Sequence, residues 1–277
     1  MADYATIRVN NRDISIWQTG TGQQPLLLLH TLRTQIEYAQ RIVPFLADGF
    51  RIIVPDLPGH GRSSKELSSP YDAALFVDTT AALVDELDLN QLIVLGESIG
   101  GAIALCLGAR RPDRLARVFA VNPHDSTGSF IGGTVGKMVS FGGRFSALPF
   151  KLESAALLRY IFAAGFADRD NLSKDFVEKL MVVPNRDRQF PAAMQSIMKH
   201  APSWSSLADQ VYPQLPDSLP AHVLYGDRDW SPAWAPEQNR RRLPSHVQFH
   251  TLANTGHFSF LDNPTAAADI VKAAVDT

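Results

Sequence analysis

The sequence contains little that would point to disulfide bonding, secretion or a membrane span. One of its 277 residues is cysteine, Cys106, so an intrachain disulfide framework is excluded. Its longest apolar runs are broken by Gly, Arg or Pro well before the roughly 20 residues that a membrane-spanning helix needs. The first five residues, Met1-Ala2-Asp3-Tyr4-Ala5, include an acid and no apolar stretch of the secretory type. We therefore expect a cytoplasmic protein without membrane insertion.

Signals for nucleic acid, nucleotides and metals are also missing. The formal net charge of −2 gives no electrostatic reason to expect nucleic-acid binding. Gly20-Thr21-Gly22 lacks the lysine of a phosphate-binding loop. The histidines at positions 30, 60 and 257 fall on separate predicted loops and do not have the spacing of metal ligands. We expect no cofactor and no metal.

The most informative segment is Gly96-Glu97-Ser98-Ile99-Gly100. The apolar run Gln91–Leu95 before it predicts a buried strand, and the apolar run 101–110 after it predicts a helix. A strand that turns directly into a helix requires close backbone packing, which the flanking glycines permit. The serine at the centre of such a turn is strained and its hydroxyl projects outward. The pattern therefore predicts that Ser98 is a nucleophile.

A serine hydroxyl needs a base to remove its proton, so an acid and a histidine are expected elsewhere in the chain. Downstream, the predicted strand Val223-Leu224-Tyr225 ends in a turn with two aspartates, of which Asp229 is the second. A further predicted strand precedes His257. The order Ser98, Asp229, His257 is the one expected when all three follow parallel strands at the same edge of a sheet. In this arrangement His257 accepts the serine proton and Asp229 orients the imidazole.

Together with the serine motif, four further motifs resemble the α/β-hydrolase superfamily. The matching segments are Leu28-Leu29-His30, Pro55-Asp56-Leu57-Pro58-Gly59-His60-Gly61-Arg62-Ser63, Gly96-Glu97-Ser98-Ile99-Gly100-Gly101, Gly226-Asp227-Arg228-Asp229 and Gly256-His257-Phe258. They run from about residue 26 to the C-terminus, and the middle third of the chain remains unmatched. The resemblance is specific for the fold and much less specific for the reaction, because this superfamily hosts many chemistries.

Two other carboxylates compete with Asp229 for the place beside the histidine. Asp227 lies in the same turn, and Asp125 follows another predicted strand. The superfamily pattern Gly-x-x-Asp selects Asp229.

The alternation of strands and helices predicts an α/β fold with a mostly parallel central sheet flanked by helices. The chain is expected to open with an antiparallel hairpin over 5–18, and helices are expected at 35–47, 71–87 and 265–275. Between 124 and 215 helical patterns occur without a clear strand, among them 151–164, 173–181 and 192–200. We therefore predict an α/β-hydrolase core of residues 1–123 and 216–277 with an inserted helical cap of residues 124–215.

An oxyanion hole requires two backbone N–H groups directed at the same oxygen. The resemblance assigns one to Ile99, directly after the serine, and the other to Leu32 in the loop after the first parallel strand. The chain departs from the family in this loop, because Thr31 stands where a glycine usually follows the histidine. A β-branched residue does not easily adopt a positive φ, so a reshaped loop is expected.

Three residues are candidates for contact with substrate. Arg33 either binds a substrate carboxylate or is a solvated or structurally paired arginine. Phe141 and Phe145 belong to a group of aromatics in the predicted cap that either pack the cap onto the core or line an apolar pocket.

These features predict a serine hydrolase that cleaves a carboxylic ester of a small or medium hydrophobic compound through an acyl-enzyme. A carbon–carbon bond hydrolase, to which Arg33 would bring a carboxylate site, is one alternative. A cofactor-free perhydrolase or haloperoxidase with the same three residues is a second. A non-catalytic ligand-binding receptor on the same scaffold is the alternative from outside enzymes. The expected partner is in each case a small molecule, and the oligomeric state is open.

Overall fold

The computed structural model describes residues 4–125 and 133–275 and confirms the predicted α/β class. Eight strands form one sheet, and their bounds are β1 Tyr4–Val9, β2 Arg12–Thr19, β3 Gln24–Leu29, β4 Phe50–Pro55, β5 Leu92–Glu97, β6 Leu115–Val121, β7 Ala221–Gly226 and β8 Gln248–Leu252. Their order in the sheet is β1-β2-β4-β3-β5-β6-β7-β8. β1 and β2 form the predicted antiparallel hairpin, and β2 pairs antiparallel with β4. The other six strands, β3 to β8, are all parallel to one another.

The central strands are apolar on both faces because helices cover both sides of a parallel sheet. In β3, Leu27 and Leu29 belong to one hydrophobic cluster, and Leu26 and Leu28 belong to another. All four leucines have no exposed surface. Since successive side chains of a strand point to opposite faces, the two clusters lie on the two sides of the sheet.

Helices α1 (Ala73–Glu86), α2 (Ile99–Arg110), α9 (Ala235–Arg242), α10 (Ser259–Asp262) and α11 (Pro264–Val275) belong to the part of the chain that supplies the sheet. The predicted helices at 71–87 and 265–275 correspond to α1 and α11. The helix expected over 35–47 is not continuous, because the structure has two short 3₁₀ helices at Ile36–Arg41 and Val43–Phe45. Pro44 has no N–H to give to an α-helical ladder, which explains the break.

Between β6 and β7 the described residues form no strand, two short 3₁₀ helices (Arg169–Asn171 and Tyr212–Gln214) and six α-helices. We refer to them as the inserted helices: α3 Gly133–Gly143, α4 Leu148–Lys151, α5 Ala155–Ala163, α6 Lys174–Arg186, α7 Phe190–His200 and α8 Ser203–Val211. The helix expected over 151–164 corresponds to α5, which begins four residues later than expected, and α4 is a separate short helix before it. Ser154 starts α5 as its N-cap, with Oγ accepting a hydrogen bond from the N–H of Leu157.

The inserted helices pack on both hydrophobic clusters. Phe190 and Met194 of α7 join the cluster that contains Leu27, and Leu158 and Phe162 of α5 join the cluster that contains Leu28. α8 also packs against α1 and α2. Among the residues with described positions, no helix is both long and apolar enough to cross a membrane.

Candidate active site

Ser98 lies in the turn between β5 and α2 with a backbone conformation that few residues adopt. Its φ is 58° and its ψ is −117°, a strained combination for a residue with a side chain. The glycines beside it have no room for a side chain. A Cβ on Gly96 would lie 2.0 Å from the carbonyl oxygen of Gly100, and one on Gly100 would lie 2.5 Å from that of Leu29. The sharp strand-to-helix turn expected from the sequence is present.

The structure brings together Ser98, His257 and Asp229. The Nε2 of His257 lies 3.1 Å from the Oγ of Ser98, and its Nδ1 lies 2.7 Å from Oδ1 of Asp229. The side chains of His257 and Asp229 are each 5% exposed. With Nδ1 donating to the carboxylate, Nε2 is left as an acceptor for the serine proton. The contacts have the order and the lengths that nucleophilic catalysis by a serine requires.

The histidine is held in place from several sides. The ring of Trp230 is stacked on the imidazole, with centroids 4.8 Å apart and an angle of 26° between the planes. The side-chain amide of Asn122, at the end of β6, donates to the carbonyl of His257 at 3.0 Å. The backbone N–H of His257 donates to the carbonyl of Gly165, which lies after α5, at 2.7 Å. The loop of His257 therefore connects the sheet with the inserted helices.

The two competing carboxylates have other partners. Asp227 accepts a hydrogen bond from the N–H of Thr255 at 3.0 Å, and donors of this kind lower its pKa. Asp125 is buried, where it accepts hydrogen bonds from the hydroxyl of Tyr212 at 2.7 Å and from the amide of Asn239 at 2.9 Å. Both carboxylates brace loops and helices, and Asp229 is the one that contacts the histidine.

Glu97, directly before the serine, is fully buried and does not bind Arg33. One carboxylate oxygen accepts hydrogen bonds from Ser259, from its backbone N–H at 2.7 Å and from its hydroxyl. The other oxygen accepts from the hydroxyl of Tyr38. Burial raises the pKa of Glu97 to about 7, against the effect of these donors. Glu97 thus joins the turn of the serine to α10, which follows the histidine loop.

The loop after β3 differs from the expectation based on Thr31. The positive φ of this loop, 62°, is found at Arg33, and Thr31 is not among the residues with positive φ. Thr34 Oγ1 donates to the carbonyl of Thr31 at 2.7 Å. His30 is buried, its Nδ1 lies 2.8 Å from the same carbonyl, and its Nε2 accepts from the N–H of Leu57 at 2.9 Å. Burial lowers the pKa of His30 to about 4, so the ring is neutral and supports the loop.

A pocket lies directly above Ser98 and His257. Thr31, Leu32 and Arg33 form one part of its wall. The rest is mainly apolar and comes from the inserted helices and from the segments that flank His257; its members are Val139, Phe150, Leu158, Ile161, Phe162, Met194, Met198, Trp230 and Phe258. Ile99 is the first residue of α2, whose first-turn N–H groups have no partner within the helix. Leu32 and the start of α2 are therefore both next to the serine.

Phe141 and Phe145 do not line this pocket, so their interpretation as substrate contacts is wrong. The centroids of their two rings lie 5.3 Å apart on the outside of the molecule, where Phe141 is 64% exposed and Phe145 is 72% exposed. Val139 and Ser140 are the α3 residues that face the pocket. At 100° per residue, the helix turns Phe141 away from it.

Arg33 does line the pocket, but its charge already has a partner. Its Nε donates to Oε2 of Glu153 at 2.8 Å, and its Nη2 contacts the same oxygen. Its guanidinium also lies 4.6 Å from the centre of the Phe190 ring. The side chains of Arg33 and Glu153 are 11% and 7% exposed, so the ion pair is nearly buried. Of the two interpretations of Arg33, the structurally paired one describes this contact.

Trp230, His124 and Glu153 are among the pocket residues that were not anticipated. Trp230 directly follows Asp229, and His124 follows the end of β6, so proximity to strand ends was an available signal for both. Burial lowers the pKa of His124 to about 4, with a further contribution from His257, which makes it a neutral polar group in the pocket wall. Glu153 had no local signal, because its partner Arg33 is 120 residues away in sequence.

Within residues 4–125 and 133–275, no three His, Cys, Asp or Glu side chains are arranged to hold a metal ion. The chemical groups at the site are a hydroxyl, an imidazole, a carboxylate and backbone N–H groups beside an apolar cavity.

Comparison with known proteins agrees with this architecture. The family model for the alpha/beta hydrolase fold matches residues 24–264. The chain belongs to the α/β-hydrolase family. Membership of this family supports a hydrolase and leaves open which bond is cleaved.

Individual relatives differ in their reactions. The chain is 27% identical over 267 residues to lipase LipV of Mycobacterium tuberculosis (strain ATCC 25618 / H37Rv), covering 94% of this chain and 97% of the relative. It is 33% identical over 117 residues to 2-hydroxymuconate semialdehyde hydrolase of Pseudomonas sp. (strain CF600), covering 41% of this chain and 39% of the relative. The crystal structure of Cfl2 from Burkholderia cenocepacia has a similar fold, with a TM-score of 0.83, 20% identity and coverage of 98% and 95%.

Proposed function

We propose that the protein is a serine esterase, which cleaves carboxylic esters of small or medium hydrophobic compounds through an acyl-enzyme. The observation that carries this proposal is the contact chain from Ser98 through His257 to Asp229 at the base of an apolar pocket. The 27% identity to a lipase over nearly the whole chain supports ester chemistry.

In the proposed reaction, His257 Nε2 accepts the proton of Ser98 as its Oγ attacks the ester carbonyl. Asp229 stabilises the imidazolium that forms. The oxyanion accepts hydrogen bonds from the N–H groups of Ile99 and Leu32. His257 then gives its proton to the leaving alkoxide, and the ester C–O bond breaks. A water molecule deprotonated by His257 attacks the acyl-enzyme, and the acid leaves with Ser98 regenerated.

The inserted helices act in this proposal as a cap, with bounds at about 124 and 215. They supply most of the apolar wall, so the acyl or alcohol part of the substrate would be held against Phe150, Phe162, Met194 and Met198. Apolar substrate surface that binds there is removed from water, and this contributes about 25 cal/mol to the binding free energy for each Å² buried.

The Arg33–Glu153 contact favours an ester over the carbon–carbon substrate. A substrate carboxylate would have to displace Glu153, whose oxygen already accepts from two donor atoms of Arg33. Separating a nearly buried carboxylate from the cation that it pairs with is costly, about 3–5 kcal/mol when such a pair is broken.

The proposal is tested by turnover of p-nitrophenyl esters from acetate to decanoate, with Ser98→Ala as the matched inactive variant. We expect hydrolysis by the wild-type protein, and loss of about 10⁶ in kcat in the variant, as for loss of the serine in subtilisin. Circular dichroism should be the same for both proteins. Undiminished ester hydrolysis in Ser98→Ala would refute the serine mechanism.

The same proteins distinguish the alternatives. Cleavage of a vinylogous diketone in preference to every ester would favour the carbon–carbon hydrolase. Peroxide-dependent halogenation or peracid formation faster than hydrolysis would favour the perhydrolase. Tight ligand binding without any turnover would favour a receptor.

A further inference from the structure

The outward side of α3, α4 and α5 is apolar, although its inward side already lines the pocket. Six large apolar side chains between 138 and 160 are more than half exposed: Met138, Phe141, Phe145, Leu148, Leu152 and Tyr160. They are six of the eleven exposed large apolar side chains that the described residues contain. α3 packs on both α4 and α5, so these side chains lie on neighbouring helices. We call them the outer apolar face.

Exposed apolar groups at this density need an explanation. Single exposed hydrophobic residues are ordinary, whereas a cluster of them marks an interaction surface. Phe141 and Phe145 are 64% and 72% exposed and touch each other, so they form a continuous aromatic surface. They are not needed for the pocket, which α3 reaches through Val139 and Ser140.

The exposed charge of the same segment has one sign. Residues 133–163 contain four cations, Lys137, Arg144, Lys151 and Arg159, and one carboxylate, Glu153. Glu153 points inward to Arg33 and is 7% exposed. Lys137, Lys151 and Arg159 are exposed. The segment therefore presents positive charge in a chain whose formal net charge is −2.

We propose that the outer apolar face is a docking surface for an anionic phospholipid membrane. Aromatic and aliphatic side chains beside lysines and arginines are the composition of helices that lie in a membrane interface. The apolar groups would enter the boundary between head groups and acyl chains, and the cations would contact lipid phosphates. This attachment is peripheral and needs no spanning helix.

Charge argues against a second copy of the chain as the occupant. In a symmetric dimer each copy presents the same patch, so Lys137, Lys151 and Arg159 of one would face the like charges of the other. Like charges brought together across an interface oppose association. An anionic bilayer offers both complements, negative phosphates and an apolar interior.

The test is sedimentation of the full-length protein with vesicles. One set contains phosphatidylcholine alone, and the other contains equal parts of phosphatidylcholine and phosphatidylglycerol. We expect binding to the anionic vesicles that weakens as salt is added, and little binding to the neutral ones. Absence of binding to anionic vesicles would overturn the proposal.

Two variants separate the apolar from the charged contribution. Phe141→Ser/Phe145→Ser removes the aromatic pair, and Lys137→Gln/Lys151→Gln/Arg159→Gln removes three exposed cations. Each cation near an anionic surface contributes a factor of about five, so the charge variant should bind roughly a hundredfold more weakly. The aromatic variant should bind at least about tenfold more weakly.

Matched control variants alter exposed residues of the same types or of similar size elsewhere on the surface. Leu67→Ser/Phe45→Ser is the apolar control, and Lys174→Gln/Lys199→Gln/Lys272→Gln is the charge control. Equal losses in the controls would overturn the assignment of this face. So would a dimer in sedimentation velocity that Phe141→Ser/Phe145→Ser abolishes while vesicle binding persists, because a second copy would then be the occupant.

The docking proposal is independent of the proposed esterase activity. Hydrolysis of a soluble ester should be unchanged in Phe141→Ser/Phe145→Ser, because neither ring lines the pocket. Vesicle binding should be unchanged in Ser98→Ala. Failure of one proposal is thus distinguishable from failure of the other.

Discussion

The turn at Ser98 and the inserted helices are both part of the pocket, but they are built by different kinds of contact. At the turn, the sequence signal is local, since Gly96 and Gly100 lie within two residues of the serine, although the backbone that leaves no room for a side chain on Gly100 is that of Leu29. The inserted helices are positioned by distant contacts. Arg33 meets Glu153 across 120 residues, and the N–H of His257 meets Gly165.

This difference separates chemistry from specificity. The groups that would carry out bond cleavage are placed by strand ends that the sheet holds in register. The groups that would select the substrate, such as Met194 and Met198, lie on helices whose orientation depends on packing. Changes at the turn should therefore abolish activity, and changes in the inserted helices should alter which substrates are used.

After removal of the serine itself, the largest expected effect concerns the carboxylate that contacts the histidine, Asp229. Asp229→Asn should lower kcat by about 10⁴, because an amide at this position favours the wrong imidazole tautomer. Asp227→Asn is the matched control from the same turn. Its carboxylate braces Thr255 and does not contact the histidine, so its effect on kcat should be far smaller. Steady-state kinetics of the two variants on one ester would measure the difference. Reversed effects would place the acid at Asp227.

A smaller effect is expected where the two regions meet. Arg33→Ala leaves Glu153 nearly buried without its cation, which should lower the free energy of unfolding by about 3–5 kcal/mol. Urea unfolding measures this loss. Lys272→Ala, which breaks an exposed contact with Asp269, should change it by about 1 kcal/mol or less.

A second change shows whether the buried charge is the cause. Arg33→Met/Glu153→Leu removes both charges and keeps most of the volume, so it should recover much of the lost stability. If the double variant is no more stable than Arg33→Ala, the ion pair does not account for the loss.

Next in size is the pH dependence that Glu97 contributes beside the serine. Its pKa rises from an ordinary 4.5 to about 7 in the folded protein, so the folded state binds this proton more tightly than the unfolded state. The stabilisation that this tighter proton binding gives the folded state is complete below pH 4.5 and is lost as the pH rises through 7, and its upper limit is about 3 kcal/mol. In Glu97→Gln, the free energy of unfolding should not show this decrease between pH 4.5 and pH 7.

The comparison of Glu97→Gln with wild type isolates one carboxyl. Burial also raises the pKa of Asp56 to about 7 and of Asp125 to about 6, and both carboxyls are present in the two proteins. Parallel stability curves from pH 4.5 to 7.5 would contradict the assignment to Glu97.

The smallest effect is expected for each step in substrate length. Because each buried methylene contributes about 0.8 kcal/mol, kcat/KM should rise about fourfold per methylene from acetyl until the pocket is full. It should then level off or fall. Met198→Ala shortens a side chain of the pocket wall and thereby enlarges the pocket, so the acyl chain with the highest kcat/KM should become longer. Equal kcat/KM values for acetyl and hexanoyl esters would contradict an enclosing cap.

The sequence was sufficient for the groups around Ser98 because their signals are short. A glycine pair around a serine, and polar residues after apolar runs, identify strand ends without any knowledge of the packing. The β1–β2 hairpin and the parallel strands were predictable for the same reason.

The inserted helices were predictable as helices but not in their orientation. Phe141 and Phe145 have the composition of pocket residues, and the rotation of α3 turns them outward. That rotation depends on the packing of α3 against α7, α4 and α5, which no local pattern records. The positive φ at Arg33, in place of strain at Thr31, likewise occurs in a loop that is held by the hydrogen bonds of His30 and Thr34.

The central claim is that Ser98 is an activated nucleophile, and covalent labelling tests it most directly. The protein is treated with a fluorophosphonate probe, and the adduct is located by peptide mass spectrometry, with Ser98→Ala and Asp227→Asn treated in parallel. We expect one adduct per chain on Ser98 in the wild type and in Asp227→Asn, and no adduct in Ser98→Ala. Labelling that persists in Ser98→Ala, or a wild-type protein that hydrolyses esters yet stays unlabelled at Ser98, would contradict the account.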